Sequence, residues 1–161
     1  MNATKKAFFA LFVVIAGLSF AQTPVTSCMN INSGGSYQLA NHLYGSTCIQ
    51  IYSSNVILDC NGYNITGTGS GNYGVLLTTP VTNVTVKNCP SISRYRYGIY
   101  LQRNANYNRI LNNTVWNNSN YGIYIYRAHH NNITGNNFSH NARGIYIRRS
   151  PSNNIINNTA Q

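Results

Sequence analysis

The chain has 161 residues, eleven Lys plus Arg against one acid, Asp59, and a formal net charge of +10. A single carboxylate excludes hydrolysis by a carboxylate pair, and it leaves a hard dication such as calcium without the oxygen ligands it needs. The cation excess points to anionic partners: acidic glycans, phosphate-rich polymers or an anionic membrane face.

The first element reads as a secretory signal. Met1 to Lys6 is short and basic, Ala7 to Leu18 is an apolar run too short to span a bilayer comfortably, and Ser19-Phe20-Ala21 is a small-x-small cleavage site. The predicted division is a signal peptide over 1–21 and one domain over 22–161, secreted to the cell surface with no membrane span after cleavage. Losing Lys5 and Lys6 lowers the charge to about +8. An exported chain seldom meets nucleic acid, so no nucleic-acid partner is expected.

Cys28, Cys48, Cys60 and Cys89 are an even number of cysteines in an exported chain, which predicts disulfides. No CxxC spacing is present, so zinc has little support. The segment Asn55-Val56-Ile57-Leu58-Asp59-Cys60 aligns with Asn83-Val84-Thr85-Val86-Lys87-Asn88-Cys89. That alignment sets Asp59 opposite Lys87 and brings Cys60 within one position of Cys89. Four cysteines allow three connectivities; the alignment favours Cys60 with Cys89, leaving Cys28 with Cys48 near the N-terminal cap.

From Gly74 onward the chain repeats. Gly74-Val75-Leu76-Leu77, Gly98-Ile99-Tyr100-Leu101, Gly122-Ile123-Tyr124-Ile125 and Gly144-Ile145-Tyr146-Ile147 begin 24, 24 and 22 residues apart. A second element follows each of the last three, as Ile110-x-x-Asn113, Ile133-x-x-Asn136 and Ile155-x-x-Asn158. Each element is short, alternating and β-branched, bounded by Asn, Ser and Gly, and none reads as an amphipathic helix. One unit cannot bury enough apolar surface to offset its ordering entropy, so units must stack as a solenoid. Leucine-rich repeats share the period, but only two leucines follow Leu77.

The pattern that fits is a parallel β-helix, all-β, with coils of 22 to 28 residues. Ile99, Leu101, Ile123, Ile125, Ile145 and Ile147 point inward by the strand period of two, and Tyr100, Tyr124 and Tyr146 outward. Asn113, Asn136 and Asn158 recur at a corner, where stacked amides can hydrogen-bond along the axis.

These features resemble the NosD-like proteins of the pectate-lyase-like superfamily, in particular exported, Asn-rich archaeal versions. The residues that carry the likeness are 55–62, 83–89 and the recurring Gly-Ile-Tyr and Asn-x-Ile-x-x-Asn. The resemblance covers about residues 28–161 and implies a single-stranded right-handed β-helix. It does not fix a function, because the superfamily includes lyases, hydrolases, epimerases, adhesins and surface-layer proteins.

Within that fold the residues support three functions. The leading one is a non-enzymatic surface rod that binds acidic carbohydrate. Tyr100, Tyr124 and Tyr146 stack two positions after each glycine, and Arg103, Arg127 and Arg149 stack five positions after it. Tyrosine rings are expected to pack on sugar faces, while guanidinium forks grip carboxylates or sulfates. The second is a uronate lyase. Some lyases of this kind use a His or Tyr base with Arg neutralising the substrate carboxylate, a role open to His129, His130, Tyr124, Tyr126 and Arg127, with His140 later in the repeat. The third is copper binding, which the NosD resemblance implies. Adjacent histidines in an extended chain point to opposite sides, so no metal site or other cofactor is expected.

Asn-x-Ser/Thr sequons stand at Asn64, Asn83, Asn112, Asn117, Asn132, Asn137 and Asn157. In an exported protein these are glycan acceptors. Asn112 and Asn157 are expected on the strand beside the ladder, with less room for a sugar. The chain stops inside the unit that begins at Gly144, which suggests a fragment with downstream domains or an end that pairs with another chain.

Overall fold

The computed structural model describes residues 21–160, so the predicted signal peptide lies outside the described residues except for Ala21. The chain starts with β1 (Thr23–Val25), β2 (Met29–Ile31), β3 (Gly35–Leu39) and β4 (Leu43–Tyr44). Next come β5 (Ile49–Ile51), β6 (Val56–Asp59) and the long β7 (Ile65–Leu77), then β8 (Val81–Thr82), β9 (Thr85–Lys87) and the long β10 (Ile92–Leu101). They are followed by β11 (Ala105–Asn106), β12 (Arg109–Leu111), β13 (Val115–Trp116) and β14 (Tyr121–Tyr126). Last are β15 (Asn132–Thr134), β16 (Arg143–Arg148) and β17 (Asn154–Ile156).

Every strand pair is parallel, and the strands stack into a parallel β-helix with three faces. The first face is the sheet β1-β3-β6-β9-β12-β15-β17, and the second is β2-β5-β7-β10-β14-β16. The third face is narrower. It pairs Leu43 with Ile65, Ile65 with Ile92 and Ile92 with Val115, so β4, β13 and the first residues of β7 and β10 build it. Strands β8 and β11 form a short extra pair. Among the described residues no helix is long and apolar enough to cross a membrane.

The inward residues of all three faces form one core. Ile99, Leu101, Ile123 and Ile125 lie in it as the alternation predicts. Ile145 is only partly buried, and Ile147 is 42 % exposed rather than inward and covered. The reason is position: β16 is the outermost strand of its sheet, so no described coil covers its far side.

Each corner is made the same way. A residue in the left-handed region turns the chain, and the next residue points inward. Tyr107, His130 and Ser152 turn before Asn108, Asn131 and Asn153; Asn112, Gly135 and Asn157 before Asn113, Asn136 and Asn158; Asn117 and His140 before Asn118 and Asn141. Asn and His tolerate that backbone region better than most side chains. The inward asparagines form a ladder at each of these three corners; at the corner turned by Arg127 and Arg149 the inward residues are Ala128 and Ser150. The Asn113 backbone N–H and Nδ2 both donate to Asn136 Oδ1, at 2.9 and 3.0 Å, and Asn136 donates in the same way to Asn158 Oδ1. Backbone N–H groups of Asn108, Asn131 and Asn118 donate likewise to Asn131, Asn153 and Asn141. Only the Asn113 ladder is anticipated from sequence. Asn112 and Asn157 are exposed corner residues just past β12 and β17, not strand residues with restricted access as expected.

In the preceding coil the three inward corner positions hold Val84, Cys89 and Tyr95. Each still donates its backbone N–H to the first asparagine above it, Asn108, Asn113 and Asn118. Cys60 bonds to Cys89 and Cys28 to Cys48, the expected pairing. Asp59 pairs with Lys87 in register and at 3.2 Å. Burial pushes the Asp59 carboxyl up, but the Asn61 amide, the Lys87 ammonium and Asn88 outweigh it and hold the group below its ordinary range.

Candidate binding face

The second face owes its surface to the repeat glycines. A Cβ on Gly98 would come within 2.2 Å of Val115 Cγ1, and one on Gly122 within 2.6 Å of the Gly144 carbonyl. Only glycine fits where the chain bends inward there. Gly98 and Ile99 both face the core, so the tyrosines on either side of them both face out. The motif is thus Tyr-Gly-Ile-Tyr, and it builds two columns instead of one.

Tyr73, Tyr97 and Tyr121 share one column, with Arg143 in register above them. Tyr100, Tyr124 and Tyr146 share the other. Ring centroids are 5.5 Å apart at each step of the first column and 4.9 and 5.3 Å in the second. The columns interleave, with Tyr97 at 5.5 Å from Tyr100 and Tyr121 at 4.8 Å from Tyr146. Tyr126 extends the layer, 6.0 Å from Tyr124.

Arginines border this layer on both sides. Arg96 lies over Tyr97 at 5.2 Å, and Arg143 over Tyr121 and Tyr146 at 5.5 and 5.6 Å. Arg143 also donates to the Tyr121 hydroxyl at 3.2 Å. On the other side Arg127 and Arg148 lie over Tyr126 at 5.3 and 5.7 Å. Such contacts add attraction to each guanidinium while leaving N–H groups free for an anion.

Burial, and after it the neighbouring phenols led by Tyr124, pushes the Tyr100 hydroxyl up to about 12. Burial also raises Tyr124, with Arg148 pulling the other way. Both phenols therefore stay protonated at neutral pH and can donate. Because the rings stack on one another at small angles, their faces are largely taken. The layer presents ring edges and hydroxyls outward, so the expected packing of sugars on tyrosine faces gives way to hydrogen bonding from a row of phenols.

The sequence-predicted residues fall as follows. Tyr100, Tyr124 and Tyr146 form the second column. Arg103, Arg127 and Arg149 do not form a strand ladder. Arg127 and Arg149 take left-handed corner positions just past β14 and β16, and Arg103 is an exposed turn residue past β10. Tyr73, Tyr97, Tyr121, Arg96, Arg143 and Arg148 are the additions. Four of them could have been found by reading one position before each repeat glycine, which gives Tyr73, Tyr97, Tyr121 and Arg143.

The histidines are not brought to the tyrosines. The His130 ring stacks on Tyr107 at 5.0 Å at a corner, and His129 Nδ1 lies 3.3 Å from the Pro151 carbonyl. Among the described residues no hydrogen bond joins either to Tyr124, Tyr126 or Arg127, and His140 turns a different corner. No three His, Cys, Asp or Glu side chains converge among the described residues. All four cysteines are in disulfides, and His42 Nδ1 accepts the Asn64 amide at 3.0 Å. This donor set does not fit a copper centre.

Of the sequon asparagines, Asn83, Asn112, Asn117, Asn137 and Asn157 are exposed, and Asn64 and Asn132 are half-buried. None lies on the tyrosine face. Asn83 donates to Asn55 at 2.9 Å, and Asn132 accepts from Thr134 at 2.6 Å.

The fold and this face define a class: a parallel β-helix with an aromatic, basic strip along its axis. The model of a family described as periplasmic copper-binding protein (NosD) matches residues 26–160. The chain therefore belongs to the NosD family. No curated protein and no solved structure matches it significantly.

Proposed function

We propose that this protein is an exported, non-enzymatic rod that binds linear acidic polysaccharide along the tyrosine–arginine face. One observation carries the reading: two interleaved tyrosine columns cross four coils and are bordered on both sides by guanidinium groups. A polymer lying along the axis would meet a phenol donor at each rung, every ~4.8 Å. Its carboxylates or sulfates would reach Arg96 and Arg143 on one side and Arg127 and Arg148 on the other. The periplasmic description of the family supports export; display at the cell surface, with sugars on the exposed sequon corners, completes the proposal. The test is retention on immobilised acidic polysaccharide. The combined Arg96→Ala, Arg143→Ala and Arg148→Ala variant should bind at least about tenfold more weakly, a loss of about 1.4 kcal/mol. Unchanged retention would sink the reading.

The family description favours a second reading, copper binding. The chain's own donors do not fit it. A cupric-ion-dependent rise in melting temperature that His129→Ala or His130→Ala removes would establish it against that geometry.

A further inference from the structure

The third face carries a different aromatic pattern. Tyr44, Thr66, Ser93 and Trp116 occupy one register column along the axis. Their neighbours Leu43, Ile65, Ile92 and Val115 are buried, so by strand alternation the column faces out. Its two ends are large and open, Tyr44 at 65 % and Trp116 at 43 % exposure. The two residues between are short and carry hydroxyls.

The indole is held in place. Trp116 Nε1 donates to Ser91 Oγ at 2.9 Å, one coil back. The ring therefore reaches across the neighbouring rung, where Ser93 is only 5 % exposed. Its N–H is satisfied from the protein side. Among the described residues neither Trp116 nor Tyr44 stacks on another aromatic ring, in contrast to the tyrosine layer, whose faces are taken by each other. Three rungs at ~4.8 Å set their backbones about 14 Å apart. At the corner beside Trp116 is a cavity of ≈ 260 Å³ lined by Gly69, Arg94, Tyr95, Asn117, Asn118 and Ser119. Strand β10 shifts register there, between Ser93 and Tyr95, and Arg94 takes the left-handed conformation.

We infer that this face is a second carbohydrate site, which takes a short linear acidic oligosaccharide laid along the axis. Pyranose faces pack on Trp116 and Tyr44, where burying apolar C–H surface against an aromatic ring is favourable. Between the two rings the chain crosses the hydroxyl of Thr66. An acidic group enters the Arg94 cavity, where a guanidinium fork and the amide of Asn117 can hold it. This site shares no residue with the tyrosine–arginine face and does not rest on that reading.

Trp116 is the chain's single tryptophan, so its fluorescence reports this face alone. Hexasaccharides of β-1,4-mannuronate, α-1,4-galacturonate and β-1,4-glucose are titrated into the mature chain. At least one acidic hexamer should shift the emission saturably and more strongly than the neutral one. Tyr44→Ala should weaken that response about tenfold, and so should Arg94→Asn, a replacement suited to the left-handed backbone. Arg143→Ala with Arg148→Ala should leave it unchanged. Melting curves check that each variant folds. The inference is overturned if no acidic hexamer moves the emission, if the neutral hexamer moves it as much, or if the folded Tyr44→Ala variant responds like the parent.

Discussion

The coil containing Val84, Cys89 and Tyr95 and the coils above it turn identical corners but brace them differently. In the lower coil the inward corner residues are apolar or covalently linked, and Cys60–Cys89 and Asp59–Lys87 tie it to the coil below. In the upper coils three of the corners carry an inward asparagine, and in the middle of a ladder its amide reaches in both directions along the axis. Asn136 Nδ2 donates to the Ile110 carbonyl below and to Asn158 above, while its Oδ1 accepts from Asn113. The backbone sets the corner through its left-handed residue. The inward side chain decides whether neighbouring coils are joined by packing, by a covalent bond or by a hydrogen-bond chain.

That difference predicts an order of sensitivities. Asn136→Ala removes a donor and an acceptor in the middle of a ladder and leaves the Asn113 N–H groups and the Ile110 carbonyl buried and short of partners. Each such group costs about 1–3 kcal/mol, so the total loss is expected near 3–5 kcal/mol, read by denaturant unfolding. Replacing Cys60 and Cys89 together by Ala opens a link across 29 residues and is expected to cost about 2–4 kcal/mol. If the disulfide variant proves the weaker of the two, the amide ladder is not the stronger brace.

Much of this was legible in the sequence. The glycine spacing, the Asn113 ladder, the Cys60–Cys89 bond and the Asp59–Lys87 pair follow from alignment of the repeats, and Cys28–Cys48 is the pair left over. The other two ladders were hidden because inward asparagines sit beside outward, corner-forming ones, and side-chain type alone does not separate Asn112 from Asn113. The first tyrosine column was hidden by alternation. A strict period of two puts Tyr97 and Tyr100 on opposite faces, and only the inward bend at Gly98 puts them on the same one. The arginine register failed for a related reason: the strand ends before Arg127, so counting onward from the glycine runs into the corner.

The tyrosine layer crosses both regions, and alkali tests it as a unit. Folded Tyr100 keeps its proton to about 12, against 10.0 for the ordinary group. Stability from this group is whole below pH 10. It declines as pH rises toward 12, because the unfolded chain ionises first. Melting temperature should therefore fall across that window together with the appearance of phenolate absorbance. The chain has thirteen tyrosines, so the Tyr100 phenolate is read as the absorbance difference between the parent and Tyr100→Phe. A difference already present near pH 10 with the structure intact would mean that Tyr100 is not shielded by the layer.

The smallest expected effect belongs to the lower coil. Asp59 titrates below its ordinary 3.8 because Asn61, Lys87 and Asn88 hold the charged form against the cost of burial. Its contribution is present above that value and is lost as pH falls through the lowered one. The pair is partly solvated, so the contribution is about 0–1 kcal/mol. Asp59→Asn should keep an acceptor for the Asn61 amide, now 2.9 Å from the carboxylate, and remove only the ionic part. Its melting temperature should match the parent's in acid and fall slightly below it at neutral pH. A deficit as large as that of the Cys60→Ala/Cys89→Ala variant would mean that the lower coil is braced chiefly by charge, and the contrast between covalent and amide bracing would need redrawing.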